Sequence, residues 1–553
     1  MKSFIHIQFV LLLSMTLWDF GFRLEAGDAA FGRQRNTAES GSALPDAIPR
    51  VRESSPPSFD RRGSPAGDLS SRYSVTHHAI EVEGRQIQYR ATAGYMPIRG
   101  DSDKLLANIF FVAYELEDAD VPAGRKTTPE SGSAAPPAVT RPITFAFNGG
   151  PGASAVWLHV GALGPKRAVL GGDGTALPES DTLVDNEYTW LEFTDLVFVD
   201  PVGTGFSRAA PGVNAGQFYE VKKDIEISAE FIRLFVTRYE RWLSPQFIVG
   251  ESYGTTRAAG MARHLQENCG LYVDGLILLS SALNMAAISF DPGNDLPYVL
   301  SLPSYTAVAR YHGVVAEKPS LNLGKALERV RAWALEEYTV ALALGSTLPQ
   351  TQFRETAKRL AEYTGLPEET IVQNRLRISN FDFVGELLER QRRVLGLLDG
   401  RVTTGYGGGG QRRYTDPSFF VVKGPFVTTF NNYVRTELGF KSDLAYIFLS
   451  NQANASWNWS GDRPGYLNLA PRLAETINLD NHLRVFAAAG YYDLTTPWLS
   501  QEYVLDHLEL PANLRTNITF QLYPSGHQIY TSTDALRRLT NDVRAFVTAR
   551  EAQ

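Results

Sequence analysis

Four short apolar runs, each closing on glycine or serine, set the tightest limit on how this chain folds. They read ITFAFNGG (143–150), DLVFVDPVGTGFS (195–207), QFIVGESYG (246–254) and DGLILLSSAL (274–283). Each is long enough for a buried strand and too short for a helix that spans a domain. Between the second and third lies EVKKDIEISAEFIRLFVTRYERW, whose apolar residues Ile225, Ala229, Ile232, Phe235 and Tyr239 recur at helical spacing. After the third, TTRAAGMARHLQEN is helix-like. Strands alternating with helices in this way predict an α/β protein with a doubly wound, mostly parallel sheet.

The rhythm begins upstream with HHAIEVEGRQIQYRATAGYMPI and KLLANIFFVAYEL, strand-like and joined by a hairpin at Glu83-Gly84. From about residue 286 to 445 the strongest signals are helical, in LGKALERVRAWALEEYTVALAL and VGELLERQRRVLGLL, with a flexible glycine run at Gly405–Gly410. The sheet pattern resumes in LRVFAAAGYYD and ITFQLYPSGH, and DALRRLTNDVRAFVTARE is the closing helix. The expected organisation is therefore a core in two parts, 73–285 and 446–553, interrupted by a mainly helical cap insertion over 286–445.

The N-terminus reads as an export signal over residues 1–26, with Lys2 ahead of the apolar run FVLLLSMTLW. Residues 27–72 are rich in Ser, Pro, Gly, Arg and Asp and read as a disordered leader. A second polar stretch, EDADVPAGRKTTPESGSAAPPAVTRP, reads as a surface loop. The expected location is exported, periplasmic or secreted, with no stable membrane insertion once the signal is cleaved. Cys269 is the sole cysteine, so no intramolecular disulfide forms. A large exported eukaryotic enzyme usually carries several disulfides, which favours a bacterial origin. With 44% hydrophobic and 20% charged residues and a net charge of −7, the chain is an ordinary globular protein without the basic stripe of a nucleic-acid binder. The sequence is silent on oligomeric state.

Gly250-Glu251-Ser252-Tyr253-Gly254 matches G-x-S-x-G. Alone the pattern is weak, but here a buried strand precedes it and a helix with Ala258, Ala259 and Gly260 follows it. That context makes Ser252 a candidate nucleophile on a tight strand-to-helix turn. A serine hydroxyl needs a base, and the base an orienting carboxylate. Asp493 and His527 both follow strand-like runs, in the order Ser, Asp, His. The glycines of FNGGPGAS expose backbone N–H groups, so Gly150 and Tyr253 are the expected oxyanion donors.

Together NGGPGAS, LVFVDPVGTGFS, VGESYG, GYYDLTTPW and SGH resemble the serine carboxypeptidases of the α/β-hydrolase fold, from about His78 to the C-terminus. The resemblance implies removal of single residues from peptide or protein C-termini, best at acidic pH, without metal or cofactor. It implies a triad of Ser252, Asp493 and His527 and an oxyanion hole of Gly150 and Tyr253. It also places Asn148, Gly149 and Glu251 around the substrate's terminal carboxylate. A carboxyl in that position must be protonated to donate a hydrogen bond, since two carboxylates repel. Three positions depart from the family pattern. Ala162 stands where a second carboxylate-binding Glu is expected, Ala146 where a Trp is expected, and Ala153 where a disulfide Cys is expected. The first two leave an esterase or acyltransferase on the same triad as an alternative, and a non-catalytic binding protein on a hydrolase scaffold as a second. No H-E-x-x-H occurs, and the run GGDGTA lacks the Lys-Ser/Thr of a phosphate loop.

Overall fold

The computed structural model describes residues 69–100, 102–117, 141–171, 182–315, 322–405, 414–460 and 465–549. The export segment, the leader up to residue 68, most of the second polar stretch and the glycine run beyond Gly405 lie outside these residues. Leu69 is already buried, its N–H bonded to Asn108 Oδ1 at 3.1 Å.

Nine principal strands build one sheet: β1 Tyr73–Val82, β2 Arg85–Arg99, β3 Leu105–Glu117, β4 Ile143–Phe147, β5 Asp195–Val199, β6 Gln246–Glu251, β7 Gly275–Leu279, β8 Arg484–Gly490 and β9 Ile518–Tyr523. Their spatial order is β1-β2-β3-β5-β4-β6-β7-β8-β9, with the short strand Arg208–Ala209 on β3. The β1–β2–β3–β5 pairings are antiparallel and all later ones parallel. This is the α/β-hydrolase arrangement. The β1–β2 hairpin turns at Glu83 (φ 50°) and Gly84 (φ 76°), a pair of positive φ angles that matches the strands' right-handed twist. Strands β4 to β7 are buried on both faces, which explains why they read as unbroken apolar runs instead of alternating ones.

Helices cover both faces. On one face lie α1 Val221–Arg238, α2 Tyr253–His264, and the later helices Ala470–Leu479 and Trp498–Asp506. On the other lie the buried turn Val156–Leu163 and the helices Pro417–Thr436 and Thr533–Thr548. The predicted stripe on α1 is inside, with Ala229 and Ile232 fully buried. Gly260 of α2 lets the two helices pack closely, since a Cβ there would lie 2.3 Å from Ile225 Cδ1 and push that side chain aside.

Between β7 and β8 the chain leaves the sheet for helices such as Leu296–Tyr311, Leu323–Trp333 and Gln350–Thr364. They share a separate apolar cluster that includes Tyr305, Trp333, Leu360 and Phe383. The helix expected over VGELLERQRRVLGLL stops early. Asn380–Glu386 is helical, Arg392 turns left-handed (φ 56°), and Arg393–Leu395 pairs as a strand with Thr403–Gly405. Its leucines do point inward, but from short pieces packed separately, so tertiary burial overrides helical spacing. Among the described residues no helix is long and apolar enough to cross a membrane.

Candidate active site

The parallel strands β6, β8 and β9 deliver Ser252, Asp493 and His527 to one end of the sheet. Ser252 follows β6 and opens α2 with φ 58° and ψ −127°, a conformation costly for any residue with a Cβ. Its neighbours are glycine for a steric reason. A Cβ on Gly250 would lie 2.2 Å from the Gly254 carbonyl oxygen, and one on Gly254 would lie 2.6 Å from the Phe147 carbonyl oxygen. The Ser252 N–H is tied to the Leu279 carbonyl at the end of β7 (2.9 Å).

His527 Nδ1 lies 2.8 Å from Asp493 Oδ2. Asp493 is completely buried, yet every acceptor site is used. Oδ1 receives the Thr495 and Thr496 N–H groups at 2.8 and 2.9 Å, and Oδ2 receives the Thr496 hydroxyl at 2.7 Å. With Asp493 Oδ2 accepting from it, Nδ1 is the protonated nitrogen of a neutral imidazole, leaving the Nε2 lone pair free. Burial alone would lower the His527 pKa, but the Asp493 charge and hydrogen bond outweigh it and the net shift is upward. The Ser280 hydroxyl donates to the His527 carbonyl at 2.6 Å, linking the histidine loop to the end of β7 where Ser252 is also anchored.

The loop after β4 packs directly on the Ser252 turn. A Cβ on Gly149 would lie 2.5 Å from the Tyr253 nitrogen and 2.6 Å from the Glu251 carbonyl oxygen. Gly150 follows with φ 98°. The loop is held from behind: Arg257 donates to the Asn148 carbonyl (2.6 Å) and to Asp224 Oδ2 (2.9 Å), and the Ala155 N–H donates to Asp200 Oδ1 (2.9 Å).

Asn148 and Glu251 meet inside this loop. Asn148 Nδ2 donates to Glu251 Oε1 at 3.2 Å, while Asn148 Oδ1 accepts from the Leu158 N–H. Glu251 Oε2 and the Tyr530 hydroxyl beside it are buried without a partner of hydrogen-bond geometry. Burial pushes the Glu251 carboxyl up to about 7, against the opposing pull of His527, Tyr530 and Asn148. Glu251 is therefore largely neutral below that pH and can donate a proton to an anion. Ala146 and Ala162 are both fully buried, so neither position presents a polar group.

All eight residues singled out from the sequence fall in this region. Sequence reasoning missed Thr496, Ser280, Asp200, Tyr530 and the Asp224–Arg257 pair. The pair had a signal, since Asp224 interrupts the apolar face of α1 and Arg257 is the one charge in a run of small residues on α2. Among the described residues no group of three or more His, Cys, Asp or Glu could hold a metal ion.

Residues 84–273 match the family model of the serine carboxypeptidases. The pheromone-processing carboxypeptidase kex1 of Aspergillus niger is 38% identical over 129 residues, covering 22% of this chain and 18% of that protein. Its counterpart in Neosartorya fischeri is 33% identical over 184 residues, 32% of this chain and 26% of that one. The chain thus spans about a fifth to a quarter of the length of these curated relatives. Among solved structures, the prohormone-processing carboxypeptidase Kex1(delta)p of Saccharomyces cerevisiae aligns over 83% of this chain and 90% of its own, at 17% identity and a TM-score of 0.49.

Proposed function

We propose that this chain, placed with the serine carboxypeptidases by its residues 84–273, is an exported serine-type carboxypeptidase that releases C-terminal residues through an acyl-enzyme. Ser252 Oγ attacks the scissile carbonyl carbon as its proton passes to His527 Nε2. Asp493 holds the imidazole by Nδ1 and stabilises the imidazolium that forms. The Gly150 and Tyr253 N–H groups receive the oxyanion. Collapse of the tetrahedral intermediate breaks the C–N bond, and His527 gives its proton to the departing amine, which is the released residue. Water then attacks the ester carbonyl, His527 takes its proton, and Ser252 Oγ leaves with that proton restored. Export is supported by Lys2 and the apolar run behind it. The helices between β7 and β8 act as a cap over the site.

A Ser-His-Asp arrangement serves many acyl transfers. What carries the carboxypeptidase reading is Glu251, a buried carboxyl held up to about 7 directly beside Ser252, with Oε2 facing only the Tyr530 hydroxyl, outside good hydrogen-bond geometry. A protonated Glu251 and Asn148 can grip a terminal carboxylate, which fixes the last peptide bond over Ser252. Ala146 and Ala162 narrow that grip, and they are the observation favouring an esterase or acyltransferase instead. A fluorophosphonate probe followed by peptide mapping tests the nucleophile: the label belongs on Ser252 and disappears in Ser252→Ala. Label on another residue, or none on active enzyme, would overturn the assignment.

A further inference from the structure

The loops carrying Asp493 and His527 are joined by a third segment, which comes from the region between β7 and β8. Residues 395–402 lie against both. The Leu397 carbonyl accepts the Leu494 N–H (3.1 Å) and the Thr495 hydroxyl (3.2 Å), next to Asp493. The following carbonyl, Leu398, accepts the N–H of His527 itself at 2.6 Å. The Gly400 N–H donates to Tyr492 (3.0 Å), and Arg401 Nη1 donates to the Pro524 carbonyl (3.1 Å) while its guanidinium stands 4.9 Å over the Tyr492 ring. Contact is close enough that a Cβ on Gly526 would lie 2.4 Å from the Leu398 carbonyl oxygen.

The segment is itself clamped. Asp416, buried at the start of the helix Pro417–Thr436, receives the Leu397 and Leu398 N–H groups on Oδ2 (3.1 and 3.2 Å) and caps the helix through the Ser418 N–H on Oδ1 (2.9 Å). Ser418 Oγ in turn accepts the Asp399 N–H at 3.2 Å, and Asp399 pairs with Arg401 at 2.6 Å. Consecutive N–H groups thus face one carboxylate, while the carbonyls of the same two residues face the catalytic loops. Asp416 and His527 are thus joined through one residue, Leu398, whose N–H meets the carboxylate and whose carbonyl meets the histidine N–H.

We propose that residues 395–402 form a strap that fixes the Asp493 and His527 loops against each other, with Asp416 and Arg401 as its positioning residues. The proposal rests on reading Asp493 and His527 as the catalytic pair. Neither positioning residue needs to touch substrate, so their loss acts on turnover and leaves binding alone. A misplacement of about 1 Å by a change far from the chemistry can cost on the order of 100-fold in rate.

The test compares Asp416→Ala and Arg401→Ala with Arg377→Ala, which breaks a partly buried ion pair to Asp295 far along the same region (2.7 Å). Each variant is assayed for kcat and KM on a peptide, for the rate of fluorophosphonate labelling, and for its melting temperature. Both strap variants should lose roughly 10–100-fold in kcat and in labelling rate, with KM within about twofold. Arg377→Ala should match wild type in turnover even where its melting temperature falls equally. Should Asp416→Ala fail to fold, Arg401→Ala carries the test. Strap variants that label and turn over at the wild-type rate, or that lose activity only in step with Arg377→Ala, would overturn the strap alone. A wild-type protein that never labels at Ser252 would instead remove the catalytic reading on which it rests.

Discussion

On the proposed mechanism Ser252, His527 and Glu251 each make a separate demand on the chemistry, and each can be removed singly. Ser252→Ala and His527→Ala should each lower kcat by at least ~10³-fold with an unchanged melting temperature, and the double variant should be little worse, because triad members act as a unit. Steady-state kinetics on the three variants decide this. On the same proposal Glu251 sets the pH response. Its carboxyl is pushed up to about 7, so the protonated, anion-binding form prevails below that pH and disappears above it. KM for a free-acid peptide should therefore rise between about pH 6 and 8 while KM for the matching ester stays level. Glu251→Gln keeps a donor without a titrating proton and should flatten the rise. A KM profile identical in wild type and variant would count against Glu251 as the carboxylate ligand. Much at this scale was legible, because strand-turn-helix context and the order Ser, Asp, His are written locally. Tyr530 and Thr496 were not, since an ordinary tyrosine or threonine carries no mark of the loop it will face.

Two elements, α1 and α2, hold the nucleophile turn through one buried ion pair. Arg257 is fully buried, bonded to Asp224 and to the Asn148 carbonyl, with its guanidinium 5.3 Å from the Tyr253 ring. Removing the arginine strands a carboxylate in an apolar interior, at about 3–5 kcal/mol. Denaturant unfolding should show that loss in Arg257→Met and a markedly smaller one in Asp224→Leu/Arg257→Met, since the double change removes both charges. Additive losses would mean that the pair is not coupled as described. Strands and their flanking helices were readable because burial on both faces leaves unbroken apolar runs and α1 keeps a clean 3.6-residue period. The region between β7 and β8 was less so. VGELLERQRRVLGLL has helical spacing, yet its second half serves as a strand paired with Thr403–Gly405 and then runs into the strap, whose partners Tyr492, Leu494 and His527 sit in the loops after β8 and β9.

The molecule as a whole should be more stable in mild acid than in mild base. Asp200, buried under the loop after β4, has its carboxyl pushed up to about 7 by burial, with Oδ2 unpartnered. A carboxyl raised above its unfolded value contributes stability that is fully present below about pH 4 and is lost as pH rises through about 7. The shift corresponds to as much as about 4 kcal/mol, and Glu251 acts with the same sign. The melting temperature should fall from pH 5 to pH 8, and Asp200→Asn should flatten that fall; an Asp200→Asn protein with the wild-type slope would contradict the assignment. Sheet and flanking helices were foreseeable at this scale, whereas buried carboxylates were not, because their burial depends on which loops close over them. The proposed function requires that Ser252 cut the last peptide bond of a chain with a free terminus. Mass spectrometry of one peptide and its C-terminal amide, incubated side by side with the protein at about pH 5.5, where a carboxyl raised to about 7 remains protonated, addresses it directly. A carboxypeptidase of this kind should show stepwise loss of single residues from the free acid, slow or absent loss from the amide, and neither with Ser252→Ala. Equal turnover of acid and amide, or internal cleavage of both, would contradict it.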